Sequence, residues 1–154
     1  LGNSLDYNGQ LVEAIAAYET AVVIDPSKPE AVTELAVLHL RNNKPQLCET
    51  YARKGIVLDP KYPGGHRTLG VCLRNLKRYP EALASGLEAV RLDPKYAEGY
   101  RALGYTYLAM RDAERLAKNT AKAGQYDTKA REMVTNLKEL GENAELLDRA
   151  VNKP

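Results

Sequence analysis

One dipeptide keeps time along this chain. Asp-Pro occurs at Asp25-Pro26, Asp59-Pro60 and Asp93-Pro94, each 34 residues after the last, and Asp127 holds the next beat with Thr128 in place of proline. Other positions keep the same interval: Leu1-Gly2, Leu35-Ala36, Leu69-Gly70 and Leu103-Gly104; Ala14, Cys48, Ala82 and Leu116; Ala21, Gly55, Ala89 and Ala123. A chain that repeats at this period folds as a stack of similar units, none able to bury its apolar face alone.

The clearest unit is residues 69–94. Leu69, Val71, Cys72, Leu73 and Leu76 fall mostly on one side of a helix; Ala82, Leu83, Leu87, Val90 and Leu92 do so on a second. Pro80 suits the first turn of that second helix, where its missing N–H is not needed, and Asp93-Pro94 stops it. A 34-residue helix–turn–helix period resembles the tetratricopeptide repeat over roughly residues 1–128. The family's Trp position reads Val32, His66 and Tyr100; its Tyr position reads Leu5, His39, Leu73 and Tyr107. Its later aromatic is kept only at Tyr18, with Ala52, Gly86 and Thr120 in the other units. The resemblance implies an all-α, right-handed superhelix of helical hairpins in a single domain over residues 1–154.

Taken in order, the repeats are expected at about 1–28, 29–62, 63–96 and 97–128, with capping helices over 128–151. The first would be truncated: a short helix at 1–8, a turn at Gly9 and a helix at 11–24. Its missing start reads as a fragment or processed product, with Ile15 and Tyr18 incompletely covered. Pro29 and Pro45 open the helices of the second repeat around an Asn42-Asn43-Lys44 turn. Pro63-Gly64-Gly65 reads as a frayed helix start, since each glycine weakens a helix by up to about 1 kcal/mol against alanine. In the fourth repeat the break is expected near residues 110–112, with a second helix at 112–123 stopped by Gly124. A helix to Leu140, ended by Gly141, and a last one at 144–151 would cap the array.

Formal charge is +2 with acids and bases interspersed, unlike the concentrated basic stripe of a general nucleic-acid binder. No apolar run is long enough for a membrane span. The balance leans towards the cytoplasm and leaves open a targeting segment upstream of Leu1. Cys48 and Cys72 stand where the repeat wants small core residues and read as buried free thiols, with a disulfide between these adjoining repeats as the alternative. His39 and His66 occupy core aromatic positions and lack the spacing of a metal site. No phosphate loop and no nucleophile–base constellation emerges, so neither a cofactor nor catalysis is expected.

The resemblance further implies that the first helix of each repeat lines a concave, peptide-binding groove. By register its lining would be Asn3 and Tyr7; Glu30, Thr33, Val37, Leu40 and Arg41; Gly64, Arg67, Val71, Arg74 and Asn75; then Glu98, Arg101, Tyr105, Leu108 and Ala109. Arg67 and Arg74, seven apart, share a helix face, and Arg101 follows Arg67 by one repeat. Arg41, Arg67, Arg74 and Arg101 are thus expected to converge around Val71, Tyr105 and Leu108, a floor suited to a peptide bearing carboxylates. Some family members clamp a chaperone's terminal carboxylate; Asn3 matches that pattern, whereas Glu34, Gly64 and Thr68 do not. The functional expectation is a protein-interaction scaffold or adaptor with an acidic peptide partner. The alternatives are the recruiting region of a larger enzyme or assembly, and a self-assembling repeat protein.

Overall fold

The computed structural model describes residues 2–153, with side chains from Gly9 onward. Eight helices follow one another: α1 (Gly2–Ile24), α2 (Pro29–Arg41), α3 (Pro45–Leu58), α4 (Pro63–Asn75), α5 (Tyr79–Leu92), α6 (Ala97–Leu116), α7 (Thr120–Glu139) and α8 (Glu145–Val151). No strand occurs among the described residues. Each helix packs on the next, and α2, α4 and α6 also touch in series. This is the inner row of a right-handed helical superhelix, with α3, α5 and α7 outside it.

The recurring Asp-Pro has a local job. Proline ends the preceding helix, and the aspartate carboxylate accepts a hydrogen bond from the amide two residues on: Ser27 N to Asp25 Oδ1 at 3.2 Å, Lys61 N to Asp59 Oδ1 and Lys95 N to Asp93 Oδ1 at 2.9 Å. The next helix then ties itself to this loop. The His66 Nε2 lies 2.8 Å from the Pro60 carbonyl oxygen, and 34 residues later the Tyr100 hydroxyl donates to the Pro94 carbonyl at 3.1 Å. Inside each hairpin the turn is made by one residue in the left-handed region: Asn43 (φ 55°), Lys77 (φ 60°) and Lys118 (φ 60°).

Those three residues locate the main departure from the repeat. The first two are 34 apart and the third is 41 further on. α6 runs unbroken through residues 110–112, where the beat demands a turn, and Gly124 sits inside α7. Leu116, at a beat position for core residues, is 87% exposed. The small core residues of α7 are Ala123 and Ala130, each 41 after Ala82 and Ala89. Residues 128–139 therefore belong to the hairpin itself, and α8 alone forms the cap. Leu147 and Val151 of α8 join Leu103, Tyr107, Met133 and Leu137 in one buried cluster. Gly104 permits that docking, because a Cβ there would stand 2.4 Å from Leu147 Cδ2.

Three further expectations are corrected. No turn forms at Gly9, and α1 is a single helix. A hairpin turn interrupts helix propagation and needs packing to offset that loss; nothing lies within 4 Å of where a Gly9 Cβ would be. Ile15 is half-buried against the Val22, Val32 and Leu35 cluster, and Tyr18 is exposed. Gly64 and Gly65 are buried rather than frayed, because the Tyr62 ring lies over the start of α4 and would meet a Gly64 Cβ at 2.4 Å. Finally, Cys48 of α3 and Cys72 of α4 are disulfide-bonded, with Cα atoms 5.7 Å apart. Their core positions on facing helices of adjoining hairpins bring the sulfurs together.

Candidate functional site

The inner faces of α4 and α6 bring five expected residues to one place. Arg67, Val71 and Arg74 project from α4, and Arg101 and Tyr105 from α6; with Glu98 and Ala102 they line a shallow concavity of about 120 Å³. A second concavity of about 500 Å³ continues from it, sharing Arg74 and Tyr105 and adding Asn75, Leu108 and Ala109. The Asn75 side chain donates to the Val71 carbonyl at 2.8 Å, so it is fixed to its own helix. Leu108 is buried and supplies floor rather than surface.

The α2 contribution differs from expectation. Arg41 lines a separate depression of about 210 Å³ with Gln10, Leu11, Ala14 and Leu38, between α1 and α2, so the four arginines do not converge. Val37 is half-buried on α2 and lines neither α4–α6 concavity. Thr33 is buried, its Oγ1 close enough to Gly55 to leave no room for a Cβ there. Leu40 packs on the core cluster around Ala36 and Cys48. The side chains of Asn3 and Tyr7 lie outside the described residues.

The three arginines of the site are not equivalent. Arg101 is committed within the chain: Nη1 bonds Glu98, Nη2 donates to the Asn143 carbonyl at 3.0 Å, and the Glu142 carboxylate lies 3.7 Å away. Arg67 and Arg74 have no acidic partner, and Arg67 Nε and Arg74 Nη1 are buried without any hydrogen bond. Arg74 lies over the Tyr105 ring, 5.7 Å from its centroid. Burial holds the Arg74 pKa below the usual guanidinium value, with Tyr105 and Tyr79 opposing that shift. A buried donor lacking an acceptor is unfavourable, and an incoming carboxylate would relieve it.

Sequence reasoning missed the knot at the far end of the site. Arg111, buried on α6, donates to Asp112 at 2.9 Å, to Asp127 of α7 at 3.0 Å and to the Val151 carbonyl of α8 at 3.2 Å. The 34-residue beat assigns Arg111 to a turn, because it follows Lys77 by one period. The pairing of Ala123 with Ala130, spaced like Ala82 and Ala89, was the available signal for the later turn. His39 is buried and stacked on Tyr51 at 5.1 Å with both ring nitrogens unbonded. Among the described residues no three His, Cys, Asp or Glu side chains gather to hold a metal, and no helix is long and apolar enough to cross a membrane.

Two family models match the sequence: the TPR repeat over residues 2–43 and the tetratricopeptide repeat over residues 63–96. Curated protein sequences yield no match. Among solved structures the chain is similar to the first TPR domain of Spaghetti (RPAP3) bound to the HSP90 peptide SRMEEVD, at 24% identity and TM-score 0.61, over 71% of this chain and 86% of that one. It is similar to TTC0263, a thermophilic TPR protein of Thermus thermophilus, at 24% identity and TM-score 0.63, over 97% and 82%. It also resembles the TPR2B domain of yeast Sti1 in complex with pHsp70, at 18% identity and TM-score 0.61, over 80% and 92%. Neither family match reaches the lengthened α6–α7 hairpin, where the period changes. With its Asp-Pro beat, its serial hairpins and these matches, the chain carries repeats of the tetratricopeptide family over residues 2–43 and 63–96.

Proposed function

We propose that this chain is a protein-interaction module that holds an acidic segment of a partner protein against the inner faces of α4 and α6. The observation that carries this reading is the pair of buried, unpartnered guanidinium nitrogens, Arg67 Nε and Arg74 Nη1, on a concave face. Two structural relatives with this fold are seen in complexes, one with the acidic HSP90 peptide SRMEEVD and one with pHsp70. This chain would use different residues, because the family's carboxylate-clamp positions read Glu34, Gly64 and Thr68.

Arg67 and Arg74 would each receive a carboxylate oxygen, and Arg101 would hold the groove wall through Glu98 and Asn143. A desolvated charge-assisted contact is worth about 1.5–3 kcal/mol, against about 0–1 for an exposed pair. The test is fluorescence anisotropy with a labelled dodecapeptide carrying several Glu in a Gly-Ser background, against its Gln counterpart. The acidic peptide should bind selectively, and Arg67→Gln with Arg74→Gln should abolish the selectivity in a chain that circular dichroism shows to be folded. Equal binding of both peptides by the wild type, or undiminished selectivity in the folded double variant, would place recognition elsewhere.

A further inference from the structure

The larger concavity owes its existence to the delayed turn. Its near wall is the end of α4 and the start of α5, with Lys77 and Tyr79. Its far wall is Tyr105, Leu108 and Ala109 on α6, continuing to Asp112 in turns that a 34-residue repeat would not have. Ala150 of α8 closes one end. At about 500 Å³ this open depression has room for a large side chain. The ring and methyl groups of Tyr79, Tyr105, Leu108, Ala109 and Ala150 make its body apolar. Its charges are sorted: Arg111 is consumed by Asp112, Asp127 and the Val151 carbonyl, while Arg74 and Lys77 form no ion pair. The result is an apolar hollow edged by two unpaired cations, Lys77 at the α4–α5 turn and Arg74, which it shares with the concavity that holds Arg67.

We infer that this cavity receives a large apolar side chain of the bound segment, so that the motif recognised is an acidic residue next to a Phe- or Leu-like one. The inference rests on the groove reading above and adds its second contact. The two concavities share Arg74 and Tyr105, so neighbouring residues of one peptide reach both. Charge complementarity selects a partner's acidic segment as the occupant: the unpaired side chains at the mouth are cations, and apolar surface alone would not favour acid beside it.

The test uses four labelled dodecapeptides in a Gly-Ser background, carrying Glu-Phe, Gln-Phe, Glu-Ala or Gln-Ala at the centre. They are titrated against the whole chain and against Ala109→Trp and Ala150→Trp, each of which fills the cavity from a different helix. Circular dichroism melts identify whichever variant folds. Glu-Phe should bind at least tenfold tighter than Glu-Ala and than Gln-Phe. Either folded tryptophan variant should lose the preference for Phe and keep that for Glu. Equal binding of Glu-Phe and Glu-Ala, with the Glu preference intact, would overturn the cavity assignment and leave the groove reading standing. Loss of all preference in the wild type would overturn both. Self-association that either tryptophan variant abolishes, seen by sedimentation, would give the cavity to a second copy and overturn the inference.

Discussion

The two hairpins α2–α3 and α4–α5 follow the family's spacing, and the hairpin α6–α7 does not. α4 and α6 begin 34 residues apart, at Pro63 and Ala97, yet their turns at Lys77 and Lys118 are 41 apart. The added length is seven residues, close to two helical turns at 3.6 residues each. Residues beyond the insertion therefore return to nearly the same faces. Ala123 and Ala130, beyond the insertion, are both buried, Ala130 in one cluster with Leu103 and Tyr107 of α6, while Arg101, Tyr105 and Leu108, before it, line the inner side of α6. The lesson is physical: a helical repeat accepts whole-turn lengthening without losing its core pattern, and the extra turns become wall. In the regular hairpins the stabilising devices are the Asp-Pro turns, the Cys48–Cys72 link and the Arg78–Glu49 ion pair between the start of α5 and α3. In the lengthened one they are a charged knot at Arg111 and a docked helix.

Five changes break or sharpen that comparison. Removing residues 142–154 strips Leu147, Val151 and Ala144 from the cluster and takes the carbonyl from Arg111. At about 1.5–3 kcal/mol for each large buried side chain, the loss is about 5 kcal/mol, and urea unfolding should show a collapse of the midpoint or an aggregating chain. Next, Arg111→Ala leaves the half-buried Asp127 short of a partner and should cost about 3–5 kcal/mol. Lys77→Ala, one period earlier and exposed, should move stability by less than about 0.5 kcal/mol. Similar effects of the two would show that they occupy equivalent turns after all.

In the regular region, Cys48→Ala with Cys72→Ala releases a covalent link spanning 24 residues and should lower stability by about 3 kcal/mol. Calorimetry of the oxidised wild type against this variant reads it; an unchanged melt would mean that the link adds nothing to core packing there. The shallowest effect is on pH. Burial, with Lys44 adding to it and Glu19 opposing, pulls the His39 pKa below the unfolded value near 6.5. The unfolded chain then binds more protons, so stability falls as pH drops below about 6.5 and levels off beneath the folded pKa. His39→Phe, which keeps the stack on Tyr51, should flatten the pH 5–6.5 part of the profile. The carboxylates of Asp127 and Asp148, held low in the fold, act at more acid pH; burial of Asp127 opposes its shift, while Arg111, Arg131 and Lys138 supply the pull.

How much of this was legible before any coordinates depended on whether local chemistry or a neighbour decides the outcome. The helices of the second and third repeats follow from Pro29, Pro45, Pro63 and the Asp-Pro stops, all of which act within a few residues. The meeting of Arg67, Arg74, Arg101 and Tyr105 followed from register alone, because α4 and α6 start in phase. Arg41 failed because α1 and α2 enclose their own depression around it. The fourth turn failed because Leu116, Ala123 and Asp127 match the 34-residue beat by residue type while their packing obeys 41. Single-residue identity carries no record of which helix stands opposite. The pairing of Cys48 with Cys72 is of the same kind, a matter of two facing helices rather than of spacing along the chain.

Amide hydrogen exchange, read residue by residue by NMR, tests the displaced turn most directly. In the structure the segment 110–116 forms the last two turns of α6 and the turn lies at 117–119. The amides of Arg111 to Arg115 should therefore be protected to the same order as those of Leu103 to Leu108. Fast exchange should begin only after Leu116. A fast-exchanging gap at residues 110–112, with protection resuming at once afterwards, would restore the 34-residue turn and remove the wall on which the larger cavity depends.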